Sequence, residues 1–228
     1  MSERERILGR IREALKGRAP LPGHHGEVVE NFAGPERETF SQWLPAVGNT
    51  KKAKFEAFAK ASADLKTDFR HVADEATMIR ELRSVAKEEG WIKVASHHTD
   101  LTDMACGKLG LPTLWTDGGY DVNEMESCDV GISVCDALVA QTGTIVLTSR
   151  TGGGRALSVL PPHHVVLAHS KQMVRDLPAA FALLKERFGD GFPSMMTLIT
   201  GPSRTGDIER ILVLGAHGPK KLTVLCHD

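Results

Sequence analysis

Residues able to bind an anion are concentrated in the segment ITGPSRTGDIERILVLGAHGP, at positions 199–219. A short apolar run stops there at glycine and proline, and polar residues follow at once. The candidates for ligand contact in this turn are Gly201, Ser203, Arg204 and Thr205. The guanidinium of Arg204 can form two parallel hydrogen bonds with a phosphate or a carboxylate. The turn therefore predicts a site for a negatively charged small molecule.

The elements expected around this turn support the same prediction. The apolar run 195–200 indicates a strand, and the pattern of 206–214 indicates a helix. A helix N-terminus carries unpaired N–H groups and a partial positive charge, and both favour a bound anion. An alternative stays open, because Asp207 and Glu209 already place negative charge in the first turn. On that alternative, the polar residues of the turn only cap a structural helix.

A second polar interruption separates two apolar runs of the chain. It consists of Gln141, Thr142, Gly143 and Thr144. Thr-Gly-Thr is typical of a tight turn between strands. The functional alternative places the two hydroxyls and the glycine backbone beside a ligand, as the wall opposite Arg204.

Three consecutive glycines occur in SRTGGGRALSVLPPHH, at positions 149–164. Their spacing matches neither G-x-x-x-x-G-K-[ST] nor a G-x-G-x-x-G that opens a helix after a strand. The segment predicts either a mobile anion-binding loop that contributes Arg155 or a flexible hairpin tip.

The histidines and cysteines do not form a metal-binding pattern. Histidine pairs recur at 24–25, 97–98 and 163–164, but neighbours on a strand face opposite sides of the sheet. The four cysteines lack C-x-x-C and ferredoxin spacings, and no H-E-x-x-H or G-x-S-x-G is present. We therefore predict no metal site, no iron–sulfur centre and, without a dinucleotide fingerprint, no bound cofactor.

The composition excludes several classes of partner. The chain has 228 residues, 41% apolar and 25% charged, which is ordinary for a globular domain. A formal net charge of -1 and only 5% aromatic residues argue against nucleic-acid binding. No apolar run approaches the roughly 18 residues of a membrane span. The charged N-terminus lacks the apolar core of a secretory signal, so we expect reduced cysteines and a cytoplasmic protein.

The apolar pattern predicts an α/β fold with a mostly parallel sheet, because short β-rich runs alternate with helical segments of 10–15 residues. An amphipathic helix is expected at 2–17 and an irregular, proline- and glycine-rich arm at 18–49. We accordingly divide the chain into residues 1–49 and an α/β domain at 50–228. Strands without a long intervening helix at 128–170 predict an antiparallel extension there.

Three segments carry a resemblance to a known family: AQTGTIVLTS, GRALSVLPPHHVVLA and TGPSRTGDIERILVLGAHGPKKLTVLC. In this order and spacing they resemble the lactate-utilisation protein C family, which has a LUD domain. The resemblance implies a Rossmann-like three-layer α/β/α domain similar to the ribose-5-phosphate isomerase and CoA-transferase group. It also implies a role in oxidising L-lactate to pyruvate beside two iron–sulfur partner proteins, but it supplies no catalytic residues.

One departure from that family bears on the chemistry. Members often have an acidic residue where this chain has Gln141, and CoA-transferase relatives use a glutamate as nucleophile. An amide cannot take over that role, unless Glu124 or Glu126 reaches the site. Hydride removal from lactate also needs an electron acceptor, for which the sequence offers no motif.

Taken with this resemblance, the anion-binding turn predicts a non-redox component of lactate utilisation that binds an anionic small molecule or iron–sulfur subunits. The alternatives are a stand-alone sugar-phosphate isomerase or CoA-transferase-like enzyme, or a metabolite sensor. Enzymatic activity and self-association are left open.

Overall fold

The computed structural model describes residues 3–14, 16, 43–205, 213–215 and 217–228. The chain divides into two units, Met1–Trp43 and Leu44–Asp228. In the first unit, helix α1 (Glu3–Ala14) carries an exposed Arg6–Glu3 ion pair at 3.0 Å. Most of the arm predicted for 18–49 lies outside the described residues, and the division of the chain at residue 49 stays a prediction.

The second unit contains five α-helices and twelve strands in its described part. The helices are α2 (Lys51–Leu65), α3 (Glu75–Glu89), α4 (Asp100–Leu109), α5 (Val122–Glu126) and α6 (Leu177–Phe188), with a 3₁₀ turn at Ser170–Gln172. The strands are β1 (Asp68–Val72), β2 (Val94–Ser96), β3 (Thr113–Trp115), β4 (Val130–Val134), β5 (Ala137–Val139), β6 (Thr144–Thr148), β7 (His163–His169), β8 (Met173–Val174), β9 (Met196–Ile199), β10 (Arg204–Thr205), β11 (Val213–Leu214) and β12 (Lys221–His227).

Six of these strands form the main sheet, in the order β1-β12-β7-β4-β2-β3. Each neighbouring pair in this sheet is parallel. The predicted α/β class with a mostly parallel sheet is confirmed. The expected antiparallel extension is present as a second, four-stranded sheet in the order β8-β5-β6-β9.

The two faces of the main sheet are covered differently. Because side chains alternate along a strand, Val165 and Leu167 of β7 pack with α3 and α4, whereas Val166 and Ala168 pack with the opposite layer. That opposite layer consists of α2, through Phe55 and Phe58, and of the small sheet. Helix α6 covers the outer side of the small sheet.

Local sequence explains where these helices begin and end. Thr50, Asp74 and Thr99 each accept a hydrogen bond from the first turn of α2, α3 and α4. Helices α3 and α4 end at Gly90 and Gly110, which adopt the left-handed conformation. Helices α3 and α4, of 15 and 10 residues, therefore fall within the predicted length of the helical segments.

The helix predicted over 206–214 is wrong at Val213 and Leu214, the part of this range that the structure describes, because these two residues form strand β11. Strand β10 pairs antiparallel with β11, with Arg204 opposite Leu214 and Thr205 opposite Val213. Residues 206–212 lie outside the described part of the chain. A short apolar run such as ILVL fits a strand as well as a helix, so periodicity alone could not decide. Arg204 and Thr205, which directly precede the predicted helix, belong to strand β10.

Candidate functional site

The segment Gln141 to Thr144 forms the tight turn between β5 and β6. Gly143 has a φ of +65°, and its N–H donates to Val139 O at 3.0 Å. The amide of Gln141 donates to Pro45 O at 2.9 Å, so this side chain anchors the segment that precedes α2. A role for the turn in ligand binding stays a prediction.

The two predicted motifs meet at the C-terminal end of α2. A Cβ on Gly143 would lie 2.9 Å from Ala61 Cβ and 3.1 Å from Leu65 Cδ1. A Cβ on Gly201 would lie 3.1 Å from Leu65 O, to which Arg204 Nη2 donates a hydrogen bond. Both glycines thus allow close approach to the same helix end.

A chain of hydroxyls also joins the two motifs. Thr142 Oγ1 lies 2.7 Å from Thr144 Oγ1, which lies 2.8 Å from Thr200 Oγ1. Thr144 is buried, whereas Thr200 lines a cleft together with Gly201. The turn between β5 and β6 therefore supports the cleft wall from behind.

Replacing Gly143 with alanine is expected to destabilise the protein by about 1–3 kcal/mol, because the new methyl group meets α2 and the backbone stays left-handed. Gly110→Ala is the matched control, since Gly110 has a φ of +68° with nothing within 4 Å of its Cβ position. Urea denaturation monitors both variants. Equal losses of stability in Gly143→Ala and Gly110→Ala would show that Gly143 is not packed tightly against α2.

Arg155 and the triple-glycine loop lie away from the cleft that contains Gly201. Arg155 is exposed, and its Nη2 donates to Ser194 O at 3.3 Å. Gly152 N and Gly154 N donate to Thr148 O and Ser149 O. The loop packs on the buried His97, since a Cβ at Gly153 would lie 3.0 Å from His97 Cδ2. Arg155 does not line the cleft that contains Gly201.

Two clefts open at the amino ends of the main-sheet strands, one on each face. The hydroxyl cleft, of about 340 Å³, is lined by Gly201, by apolar residues such as Leu198 and Leu222, and by polar residues, which include Ser158, His164, Thr200, Ser203 and His217. The basic cleft, of about 330 Å³, is lined by His163 and by cationic residues, which are Lys66, Arg70, Arg204, Lys220 and Lys221. Pro202 and Arg204 line both clefts, so the predicted anion-binding turn stands between them.

The histidine pair that opens β7 supplies one imidazole to each cleft. His163 and His164 face opposite sides of the sheet, as expected for neighbours on a strand. His164 is 0% exposed, and its Nε2 lies 2.9 Å from Ser133 Oγ. Its Nδ1 has no partner among the described residues. Burial lowers the pKa of His164 to about 3, so the ring is neutral near pH 7 and can hydrogen-bond a ligand without carrying charge.

The polar residues around the hydroxyl cleft are held by the turns that precede β12. The backbone N–H of His217 donates to Ser203 Oγ at 3.3 Å, and Ser203 N donates to Pro219 O at 2.9 Å. Of the sequence-predicted residues, Gly201, Ser203 and Arg204 line this cleft. Glu124, considered as a replacement nucleophile, pairs with Lys93 at 3.1 Å and does not line it.

Sequence reasoning missed a third cleft, of about 680 Å³, at the carboxyl ends of β7 and β12. It contains His169 and His227, whose rings lie 4.8 Å apart, and Asp228. His71 Nε2 lies 2.9 Å from Asp228 Oδ1. The available signal was that HVVLAH and LTVLCH each place a histidine directly after an apolar run, at the end of a buried strand. In the part of the chain that is described, no group of three potential ligands is arranged for a metal ion.

The fold and the paired clefts define an α/β protein with two clefts of ligand size at the amino edge of a parallel sheet. Residues 47–226 match the family model of the LUD domain, and the chain belongs to that family. Within the described residues, no helix has the length and apolar character needed to cross a membrane.

Curated relatives are similar over part or all of the chain. A Lactate utilization protein C of Shouchella clausii is 34% identical over 119 residues, covering 51% of this chain and 52% of that protein. One from Geobacillus kaustophilus is 38% identical over 106 residues, covering 46% and 44%. The chain thus spans about half the length of these relatives. An uncharacterized protein of Neisseria meningitidis serogroup B is 28% identical over 231 residues, covering 99% and 93%.

A solved structure shares the fold. The crystal structure of a DUF162 family protein from Deinococcus radiodurans superposes with a TM-score of 0.60 at 21% sequence identity. It covers 79% of this chain and 100% of that chain. At this identity the likeness bears on the fold alone.

Proposed function

We propose that this chain is a non-redox, ligand-binding component of an L-lactate utilisation system. One structural observation carries the proposal: the three segments that resemble the family converge on the hydroxyl cleft. One contributes Ser158 and His164, another contributes Gly201 and Ser203, and Thr144 of the remaining one contacts Thr200 at the wall. The relatives named Lactate utilization protein C supply the metabolic context.

The lining of this cleft suits a small hydroxy acid or keto acid. Hydroxyls of Ser158, Thr200 and Ser203 can donate to or accept from a ligand oxygen. The neutral imidazole of His164 adds a further hydrogen-bonding group without charge. Arg204 is exposed at the edge, where the guanidinium N–H groups that do not bond Leu65 O are available to a carboxylate.

Electron transfer is assigned in this proposal to iron–sulfur partner subunits. The four cysteines of the chain, Cys106, Cys128, Cys135 and Cys226, are all buried free thiols. Burial raises the pKa of each of them, to about 12 in Cys226, so none is poised as a thiolate. The contribution of this chain is then to hold the organic acid, and the partners contribute the redox chemistry.

Binding of L-lactate and pyruvate, measured by isothermal titration calorimetry, tests the proposal. Arg204→Ala is expected to weaken binding by about 1.5–3 kcal/mol, because a charge-assisted hydrogen bond is lost. Arg155→Ala is the matched control, since Arg155 is an exposed arginine outside the cleft, and it should leave the affinity unchanged. Co-purification with iron–sulfur subunits from lactate-grown cells tests the assembly separately.

Two outcomes would count against this function. One is that calorimetry detects no binding heat for either acid with the wild-type protein and that the protein is purified from lactate-grown cells without partner subunits. The other is growth on L-lactate that survives deletion of the gene. An Arg204→Ala protein that binds as the wild type does would move the site away from the hydroxyl cleft.

A further inference from the structure

The basic cleft is lined mainly by charged side chains and lies on the opposite face of β7 and β12 from the hydroxyl cleft. We propose that it is a second ligand site, for a phosphate-bearing small molecule held by Lys66, Lys220 and the buried His163. A cleft of about 330 Å³ is at the lower end of the range for small-molecule pockets. That size fits a phosphate group with a small organic body.

The side chains that line this cleft carry more positive than negative charge. Five cationic side chains (Lys66, Arg70, Arg204, Lys220 and Lys221) face three carboxylates (Asp68, Glu88 and Glu89). The carboxylates engage mainly two of the cations: Lys221 pairs with Glu89 at 2.6 Å, and Arg70 pairs with Asp68 at 2.9 Å. Arg70 also binds Glu81, which stands outside the lining, at 2.8 Å.

Lys66 and Lys220 have no ion pair with any residue that the structure describes. Each side chain nevertheless starts from a fixed backbone. Lys66 caps α2 in the left-handed conformation, and its N–H bonds to Ala63 O and Ser62 O. Lys220 lies across Gly215, where a Cβ would overlap its Cγ atom. Two ammonium groups are thus presented to one cleft without carboxylates of their own.

A buried polar atom without a partner is a second indication of a ligand, independent of the charge. His163 is 5% exposed and lines the cleft, and its Nδ1 has no partner among the described residues. Its Nε2 lies 2.9 Å from Thr223 Oγ1. When the Thr223 hydroxyl donates to Nε2, the proton of the neutral ring sits on Nδ1, which is then an unused donor. Buried donors are rarely left unpaired, and a phosphate oxygen would satisfy this one.

The chemistry of this set favours phosphate over a carboxylate. A phosphate monoester carries nearly two negative charges near pH 7 and offers three acceptor oxygens. Two lysines and an imidazole N–H match that charge and that number of acceptors. A monocarboxylate would compensate only one of the two lysines. The hydroxyl cleft and the basic cleft therefore select different ligands, although Arg204 lines both.

Calorimetric titration of the full chain with inorganic phosphate and with pyrophosphate at low salt is the test. Saturable binding is expected, and it should weaken as salt is raised. The double variant Lys66→Gln/Lys220→Gln should bind at least about tenfold more weakly, because both charge-assisted contacts are lost. The matched control is Lys60→Gln/Lys185→Gln, which removes two exposed lysine charges outside the cleft and should bind like the wild type.

Three results would overturn the proposal. They are no saturable binding of either anion, full binding by the double variant, and an equal loss in the control variant. The last result would indicate a general charge effect. Failure here is distinguishable from failure of the proposed function, because Ser158→Ala alters only the hydroxyl cleft. That variant should weaken lactate binding and leave phosphate binding unchanged.

Tryptophan fluorescence gives the location of the bound anion. The Trp91 ring packs edge-on against His163, with centroids 5.2 Å apart. In a protein with Trp43→Phe and Trp115→Phe, Trp91 is the remaining tryptophan. Phosphate should then change the emission with the same midpoint as the calorimetric titration. Unchanged emission at saturation would place the anion away from His163 and contradict the assignment.

Discussion

Lowering the pH from 7 to 5 is expected to reduce the free energy of unfolding by about 4 kcal/mol, roughly 2 kcal/mol for each of two histidines. Burial lowers the pKa of His163 to about 4 and that of His164 to about 3. The native protein therefore keeps both rings neutral at pH 5, whereas the unfolded chain protonates them below about 6.5. The stability is fully present above that value and is lost as the pH falls toward the two native pKa values.

Other shifted groups do not reverse this sign. Burial also lowers the pKa of His97, which adds to the loss. Asp74 and Asp176 have pKa values below their usual range, so their contribution is lost only at lower pH than the interval considered. Since a domain of this size is typically stable by about 5–15 kcal/mol, the change at pH 5 is a large fraction of the whole.

Urea denaturation at the two pH values measures this effect. His164→Asn should be less stable than the wild type at pH 7 but should lose about 2 kcal/mol less on acidification, because one titrating group is gone. His217→Asn replaces an exposed histidine and should show the wild-type loss. If His164→Asn loses as much stability as the wild type, the neutral buried imidazole is not the cause.

Much of the fold could be predicted because its signals are local. Apolar runs such as HVVLA and LTVLC are buried on both sides, which is the pattern of a parallel sheet between layers. Asp74 and Gly90 mark the two ends of α3 through cap chemistry that acts within one turn. Features of this kind depend on neighbours in sequence.

The parts that could not be predicted depend on partners distant in sequence. Strand β9 was recognised, but its pairing with β6, and hence its place in the small sheet, is a long-range contact. For this reason the turn that follows β9 does not open at the carboxyl edge of the main sheet, where the general rule places ligands. It opens beside His164, the second residue of β7, and so next to the amino edge.

The candidate site shows the same division. The residues of both motifs could be selected by type, since glycine, hydroxyls and arginine suit anion binding. Their meeting at Leu65, however, follows from the packing of α2 against two turns. The basic cleft could not be predicted from the sequence, because Lys66 and Lys220 are distant in sequence and only the fold brings them together.

Asp136→Ala is expected to destabilise the protein by about 3–5 kcal/mol, the cost typical of breaking a buried ion pair by removing one partner. Asp136 is 0% exposed and lies between β4 and β5. Its Oδ1 accepts from Arg187 Nη1 of α6 at 2.7 Å, and its Oδ2 accepts from Thr148 N of β6 at 2.8 Å. Thr151, at the start of the glycine loop, donates to the same Oδ2.

One carboxylate thus ties together the small sheet, the helix that covers it and the loop that packs on His97. Urea denaturation is the measurement, and Asp190→Ala, at an exposed aspartate, should change stability by no more than about 0.5 kcal/mol. A double-mutant cycle with Arg187→Ala separates the ion pair from the hydrogen bonds that Thr148 and Thr151 donate to Asp136. A coupling free energy of about 1 kcal/mol or more between Asp136 and Arg187 is expected, because the aspartate side of the pair is buried. A loss below about 1 kcal/mol in Asp136→Ala would show that water enters and replaces the carboxylate, and that these three elements are held together by apolar packing instead.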